Sequence, residues 1–371
     1  MKLHVRLVLA FILLFAFISS PPFFAGQLTE IYFKLDGQAP GLYPLAVENA
    51  PGGGFLMSAW FMNYGKYGGM NVDLVLVRID PEGKMLWERH IGASELAPHE
   101  EDYPFGVTRT SDNSYIVAVN SYHYIDPDYF YLWPRLVLVK IDDSGNVLWE
   151  KEYGEGSFAY KANELPDGNF MVAGGVYEHP GVDGTTSAIV RKIDQNGNIV
   201  WERKTTAEGE SIYFQECSAL SNSELIVWGS NRICKFDSSG NILWSKKTSE
   251  TDEYIQSLLV GSSGDIFMCT ALMEEPYYEP TRVRVFRYDG NGLFKWGKEL
   301  IGGNNDNYFW ANLLPRGASD ICIFGVLRAY LASDGKTYEG VGTTCFDENG
   351  TFQDTYTTYN QPFKYGWIDI S

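Results

Sequence analysis

An all-β fold is predicted for this chain by three observations. Its apolar residues fall in short runs broken by Gly, Asn and Asp. No helical periodicity persists beyond two turns. One strand–turn–strand pattern recurs six times.

The recurring unit is an apolar strand ending in Asp-x-x-Gly, followed by a second apolar strand. The copies are Leu76–Asp80 with Gly83, Leu138–Asp142 with Gly145, and Val190–Asp194 with Gly197. Ile233–Asp237 with Gly240, Val285–Asp289 with Gly292, and Thr343–Asp347 with Gly350 complete the set. Successive glycines lie 62, 52, 43, 52 and 58 residues apart. Four residues after the glycine stand Trp87, Trp149, Trp201, Trp244 and Trp296, with Asp354 in the sixth copy. Half of the ten tryptophans thus hold one repeat position, which marks a structural packing role rather than a site.

A second marker lies upstream. Eight residues before the turns at Pro51, Ser111, Pro166, Ser221, Ser262 and Arg316 come Tyr43, Tyr103, Phe158, Tyr213, Tyr254 and Tyr308, all aromatic. A short apolar run follows each turn. Each copy therefore holds four strands, A to D, with tight A–B and C–D turns. Four-stranded units at this spacing are blades of a β-propeller, since one such sheet cannot bury both faces alone. A large Trp on the outer strand fills the wedge between neighbours. The repeats fall near 43–91, 103–154, 158–205, 211–247, 252–300 and 307–359. They make one propeller domain over 26–371, of six blades. Seven is the rival, because Ile31–Leu35 and Tyr365–Ile370 offer further strands. Core packing is expected for the strand-A aromatics, with a channel-lining ring the alternative.

The first 25 residues are set apart as an export signal: a basic leader (Lys2, Arg6), an apolar run over Leu7–Ile18, and Pro21-Pro22. The run is short for a bilayer span. A cut after Ala25 is expected, with an uncleaved N-terminal membrane anchor as the alternative. Loss of Lys2 and Arg6 takes the formal net charge from −18 to −20. So acidic a chain is a poor nucleic-acid ligand. Secretion or an extracytoplasmic cell-surface location follows, as a monomer. Five cysteines (Cys217, Cys234, Cys269, Cys322, Cys345) lie in apolar strand patterns and form no CxxC. Buried free thiols are the plain reading, and one cross-strand bridge from Cys322 to Cys345 is the alternative.

The segment from Leu138 to Gly154 resembles the repeat of quinoprotein-type (PQQ-type) propellers. It is more similar still to a broad family of uncharacterised secreted propellers of bacteria and archaea, and Leu165–Gly175 matches the second half of their repeat. The resemblance implies architecture across nearly the whole mature chain and says little of function. The quinone dehydrogenases add an adjacent Cys-Cys pair and usually eight blades, which this chain lacks. No cofactor is expected.

Metal-like signals have plainer readings. The Asp-x-Asn-Gly-Asn of Asp194–Asn198 and the Asp-x-Ser-Gly-Asn of Asp142–Asn146 place Gly too early for an EF-type loop, so they read as hairpin turns. His90, His99, His123 and His179 make no ligand-spaced pair, and no metal site is expected. Catalytic residues are not identifiable from sequence.

The asymmetry of the loops carries the functional reading. The B–C connections at 63–70, 121–135, 177–187, 273–281 and 328–340 are long and Tyr-rich, and several carry acidic residues. Long loops on one rim of a rigid scaffold are where binding residues concentrate. Tyr122, Tyr124, Tyr129, Trp133, Tyr277 and Tyr278 are the expected ligand-binding residues, with local packing as the alternative. An extracytoplasmic binding propeller is therefore expected, recognising a glycan, peptide or surface protein. The alternative is a secreted enzyme, either a polysaccharide lyase or hydrolase or a quinone-dependent oxidoreductase, with its site over the central channel.

Overall fold

The structure is a computed structural model. It describes residues 42–64, 70–91, 100–126, 131–178, 185–205, 212–220, 224–247, 253–274, 279–300, 306–316, 320–331 and 336–359. The first sheet holds β1 (Leu42–Asn49), β2 (Phe55–Tyr64), β3 (Met70–Ile79) and β4 (Met85–Ile91). The second holds β5 (Glu100–Arg109), β6 (Tyr115–Asp126), β7 (Tyr131–Ile141) and β8 (Val147–Glu155). The third holds β9 (Ser157–Glu164), β10 (Phe170–Tyr177), β11 (Thr186–Ile193) and β12 (Ile199–Thr205). The fourth holds β13 (Glu216–Ala219), β14 (Leu225–Gly229), β15 (Arg232–Phe236) and β16 (Ile242–Lys247). The fifth holds β17 (Glu253–Val260), β18 (Ile266–Glu274), β19 (Glu279–Tyr288) and β20 (Phe294–Leu300). The sixth holds β21 (Asp306–Arg316), β22 (Asp320–Leu331), β23 (Lys336–Phe346) and β24 (Phe352–Tyr359).

Each sheet is an antiparallel meander in chain order, so the fold is an all-β propeller of six four-stranded blades. The strand candidates at 31–35 and 365–370, and the signal segment 1–25, lie outside the described residues. Among the described residues no helix is long and apolar enough to cross a membrane. The described residues form two compact units divided between Ser223 and Glu224, with Ser238–Gly240 belonging to the first.

Within the first unit, strand B of the second blade shows why the sheets must stack. Tyr115, Val117 and Val119 of β6 pack with Leu56, Leu74 and Leu76 of the first blade. The alternate residues Ile116 and Ala118 pack with Ala159, Phe170 and Val172 of the third. Side chains alternate across a strand, so β6 is apolar on both faces and needs a neighbour on each. In the second unit, Phe267, Cys269 and Ala271 of β18 pack with Leu313, Ile321 and Ile323. Each such large side chain contributes about 1.5–3 kcal/mol.

The Asp-x-x-Gly segments are the C–D turns. Asp142 Oδ1 accepts the backbone N–H groups of Ser144 and Asn146, and Gly145 takes φ 82°. Positive φ is the conformation that favours glycine there. The Trp of one blade lies against the turn glycine of the next. A Cβ on Gly197 would meet the Trp149 ring at 3.3 Å, and one on Gly350 the Trp296 ring at 2.8 Å. The indole N–H then donates to the carbonyl one residue after the turn Asp. Trp87 reaches Asp143 at 3.0 Å, Trp149 reaches Gln195 at 2.9 Å, Trp201 reaches Ser238 at 3.3 Å, and Trp296 reaches Glu348 at 2.9 Å. Trp244 stacks on Gly292 in the same way, yet its Nε1 is buried without a partner. The equivalent carbonyl, on Gly290, is taken by Lys235 Nζ at 2.8 Å.

Lys235 belongs to a second repeated device. Two residues before the turn Asp, strand C carries Arg78, Lys140, Lys192, Lys235 and Arg287. Four of them pair with an acid at or beside their own A–B turn. Lys140 meets Asp112 at 2.7 Å, Lys192 meets Asp167 at 2.6 Å, Lys235 meets Glu224 at 2.6 Å, and Arg287 meets Asp265 at 2.5 Å. Arg78 instead donates to the Pro51 carbonyl at 2.8 Å and to Asp143 of the next blade at 2.9 Å. Burial works against the Asp112 carboxylate, but hydrogen bonds from Lys140, Thr110 and Ser114 overcome it and hold its pKa far below the usual range.

In the sixth blade the same position is Cys345, which faces Cys322 across β22–β23 and is joined to it as a disulfide. The other three cysteines are buried free thiols. Burial pushes Cys217 and Cys269 up to about 12.

Two measurements check this account. Trp149→Phe should cost about 1 kcal/mol more in urea unfolding than Trp244→Phe, because only the first loses a made hydrogen bond. Equal losses would remove the indole–carbonyl bond from the account. Thiol titration of the unreduced, denatured protein should count three thiols, and Cys322→Ser with Cys345→Ser should lower stability by about 3 kcal/mol. A count of five would contradict the bridge.

Candidate functional site in the first unit

The 121–135 connection is shorter than expected. β6 runs on to Asp126 and β7 begins at Tyr131, so Tyr122, Tyr124 and Trp133 stand on an extended hairpin rather than in a loop. Tyr–x–Tyr and Tyr–x–Trp alternate at period two, a strand signal that the turn-forming Asp and Pro residues obscure. Of the expected binding residues, Tyr122 is half-buried and Trp133 is buried, at 8% exposure. Tyr124 pairs through its backbone with Leu132. Tyr129, Tyr277 and Tyr278 lie outside the described residues.

Trp133 and Tyr122 belong to a larger aromatic cluster. Trp133 packs against Tyr177 at 5.7 Å between ring centroids, and Phe158 contacts both Tyr177 at 5.4 Å and Tyr213 at 5.9 Å. Tyr160 meets Tyr213 at 5.9 Å and Phe105 edge-on at 5.1 Å. Two strand-A aromatics, Phe158 and Tyr213, are thus packed here. The equivalent Tyr254 of the second unit is 46% exposed.

Glycines make the room. A Cβ at Gly174 would collide with the Phe158 carbonyl, one at Gly175 with the Phe158 ring, and one at Gly156 would lie 2.8 Å from the Trp133 indole. Asn120 fastens β6 to β9 by donating to the Ala159 carbonyl at 3.1 Å and accepting its N–H at 2.9 Å.

Burial raises the Tyr160 phenol well above the usual tyrosine range, and the neighbouring phenols of Tyr213, Tyr122 and Tyr177 add to it.

A charged cluster is built from four first strands: Glu48 on β1, Arg109 on β5, Lys161 on β9 and Glu216 on β13. Lys161 Nζ lies 3.4 Å from Glu216 Oε1, and Arg109 donates to Asn113 Oδ1 at 2.6 Å. Burial opposes the Lys161 ammonium, but Glu216 and Glu48 reverse the balance and its pKa stands above the ordinary lysine value. Burial raises Glu48 above the usual carboxylate range; Lys161 and Arg109 pull it back in part, and Glu216 pushes it further.

Gly106 leaves space for this arrangement: a Cβ there would meet the Tyr160 carbonyl at 2.6 Å and Lys161 Cγ at 3.0 Å. Sequence reasoning missed these residues, yet a signal was present. Five residues before each A–B turn marker stand Ala46, Gly106, Lys161, Glu216, Ser257 and Ala311. Four copies are small, and the two that are charged meet.

No protein-family model matches the chain, and no curated protein is similar to it in sequence. Among solved structures it is similar to the polysaccharide lyase Uly1, with 11% identity over 96% of this chain and 89% of that one, at a TM-score of 0.45. It is similar to the WD40 domain of SCAP from fission yeast, with 8% identity over 85% of this chain and 74% of that one, at 0.42. A protein of unknown function from Bacteroides caccae shares 16% identity over 77% of this chain and 90% of that one, at 0.40. Likeness at this level carries no argument about activity.

The raised Tyr160 phenol ties stability to alkali. Its folded pKa exceeds the unfolded value, so the stabilisation is complete below the unfolded pKa of about 10 and is lost as pH rises through the folded one. Tyr160→Phe should therefore lose less stability than the natural chain between about pH 8 and about pH 11. Identical losses, read from urea midpoints, would show that this phenol does not titrate with unfolding.

Proposed function

We propose that the chain is an extracytoplasmic binding module that recognises a glycan through the aromatic rim of its first unit. The observation that carries this reading is the convergence of Tyr122, Tyr160, Tyr177 and Tyr213, from three blades, with Lys161 of the charged cluster next to Tyr160 along β9. Ring faces cover the apolar side of a sugar, and phenol and carboxylate oxygens meet its hydroxyls. The Cys322–Cys345 bridge supports an oxidising compartment.

One observation favours a second reading, a secreted polysaccharide-cleaving enzyme. Glu48 titrates above the ordinary carboxylate range beside Lys161, as a proton-donating carboxyl does. New reducing ends or unsaturated uronate products, lost in Glu48→Gln, would establish it.

For the binding reading, Tyr213→Ala should weaken the best ligand of a glycan array by about tenfold, since an aromatic contact is worth up to about 1.5 kcal/mol. Its far-ultraviolet spectrum should stay unchanged. Trp133→Ala is a packing control: its buried ring should cost about 3 kcal/mol or more of stability. A blank array, or unaltered binding by both Tyr213→Ala and Tyr122→Ala, would remove the rim as the binding surface.

A further inference from the structure

Asn349 is the one asparagine of the chain that stands two residues before a Ser or Thr, with Gly350 between it and Thr351. Asn-x-Ser/Thr is the acceptor signal for N-linked glycans on surface loops of exported proteins. The fold puts this copy where the chemistry needs it. Asn349 and Thr351 lie in the C–D turn of the sixth blade, between β23 and β24, and both are exposed.

The hydrogen bonds that hold this turn leave the Asn349 side-chain amide out. Asp347 N–H donates to the Thr351 carbonyl and Gly350 N–H to the Asp347 carbonyl, both at 3.0 Å. Asp347 Oδ1 accepts the backbone N–H of Asn349 at 2.9 Å and of Thr351 at 2.8 Å. Trp296 donates to the Glu348 carbonyl at 2.9 Å and covers Gly350. Among the described residues the Asn349 side chain makes no hydrogen bond, so a group carried on Nδ2 breaks no contact of the turn.

The other blades supply the comparison. The position of Thr351 is Lys84, Asn146, Asn198, Asn241 or Leu293 elsewhere, and each donates its backbone N–H to the turn Asp at 2.7 to 2.9 Å. The turn therefore forms with any of these side chains. The Thr351 hydroxyl reaches the Asp347 carboxylate, as the amides of Asn146, Asn198 and Asn241 reach theirs. Asn196-Gly197 and Asn291-Gly292 repeat the Asn-Gly step, with Gly φ of 82° and 76° against 75° at Gly350, but no hydroxyl follows. They are the same turn without the signal.

We propose that Asn349 is the attachment site of an N-linked oligosaccharide added as the chain is exported. The donor class is an oligosaccharide carried on a phosphate-linked polyprenol, and a cellular transferase is the catalyst. Asn349 Nδ2 forms a C–N bond to the anomeric carbon, whose C–O bond to phosphate breaks. The lipid phosphate leaves with that electron pair, Nδ2 gives up one proton, and nothing is oxidised or reduced. The site rests on the extracytoplasmic part of the reading above and is independent of the tyrosine rim. The Cys322–Cys345 bridge of the same blade belongs to the same oxidising compartment.

Tandem mass spectrometry of the full chain purified from its native cells tests this. The natural chain should carry a sugar mass on the peptide containing Asn349 and none on those containing Asn196 or Asn291. Asn349→Gln and Thr351→Asn should lose it completely, and Thr351→Ser should keep it. Thr351→Asn installs the residue that three other turns use, so its export and far-ultraviolet spectrum should be unchanged. An exported chain of unmodified mass would overturn the site, as would a sugar on Asn291 or one retained by Thr351→Asn. A chain found only inside the cell would overturn the extracytoplasmic reading and the site together.

Discussion

The fold depends on middle strands that have no polar face. Val117 and Val119 point one way from β6, Ile116 and Ala118 the other, and all four are buried. A strand of that kind has no stable surface exposure, and a lone four-stranded sheet of such strands would leave one apolar flank wet. Face-to-face burial supplies most of the stabilisation, since each large side chain is worth about twice one hydrogen bond. Burial is non-directional, however, and it would tolerate sheets that slide over one another. The Trp–turn contact is directional. An indole flat on a turn glycine, with its N–H on one chosen carbonyl, fixes where each outer strand sits against the next turn.

Two copies show how the repeat absorbs change. In the fourth blade Lys235 takes the Gly290 carbonyl, and the Trp244 stacking survives without its hydrogen bond. The directional part of the contact is thus replaceable by a neighbour, while the ring-on-glycine part is kept. In the sixth blade the strand-C cation is replaced by Cys345, and the covalent link to Cys322 fastens strand C to strand B. Ion pair and disulfide perform the same mechanical task at the inner turns. The ion pair needs a partly exposed acid such as Asp112, whereas the disulfide needs only two facing strand positions.

The fold was legible because its determinants are periodic. Asp-x-x-Gly, the Trp four residues on and the aromatic before each A–B turn recur, and each recurrence answers one local requirement of turn, wedge or strand. The site was legible only in part. Tyr122 and Trp133 were found from their residue types, but their placement was misjudged, because Asp126-Pro127-Asp128 suggested a longer loop than the hairpin has. Tyr160 was not singled out, and Tyr177 entered only as the start of the 177–187 connection, since nothing local tells a ring that packs inward from one that joins a cluster. Glu48, Arg109, Lys161 and Glu216 are separated by as many as 168 residues of chain. Proximity of that kind is set by the stacking of first strands and has no local trace.

The division of labour between repeat and exception has a physical basis. Positions that serve an interface between blades are constrained on both sides, so their side chains are the same in most copies and carry no individuality. At the corresponding first-strand position most copies carry a small residue (Ala46, Gly106, Ser257, Ala311), and a Cβ on Gly106 would meet the Tyr160 carbonyl at 2.6 Å. A larger, charged side chain at such a position is costly unless it finds a partner, because burial disfavours an unpaired charge. Lys161 and Glu216 meet that condition by pairing with each other, with Gly106 opposite giving way. Once that pair is seated, a further carboxylate on a third strand can be held in a partly buried place. Glu48 is such a carboxylate: burial raises its pKa, and Lys161 and Arg109 pull it back in part.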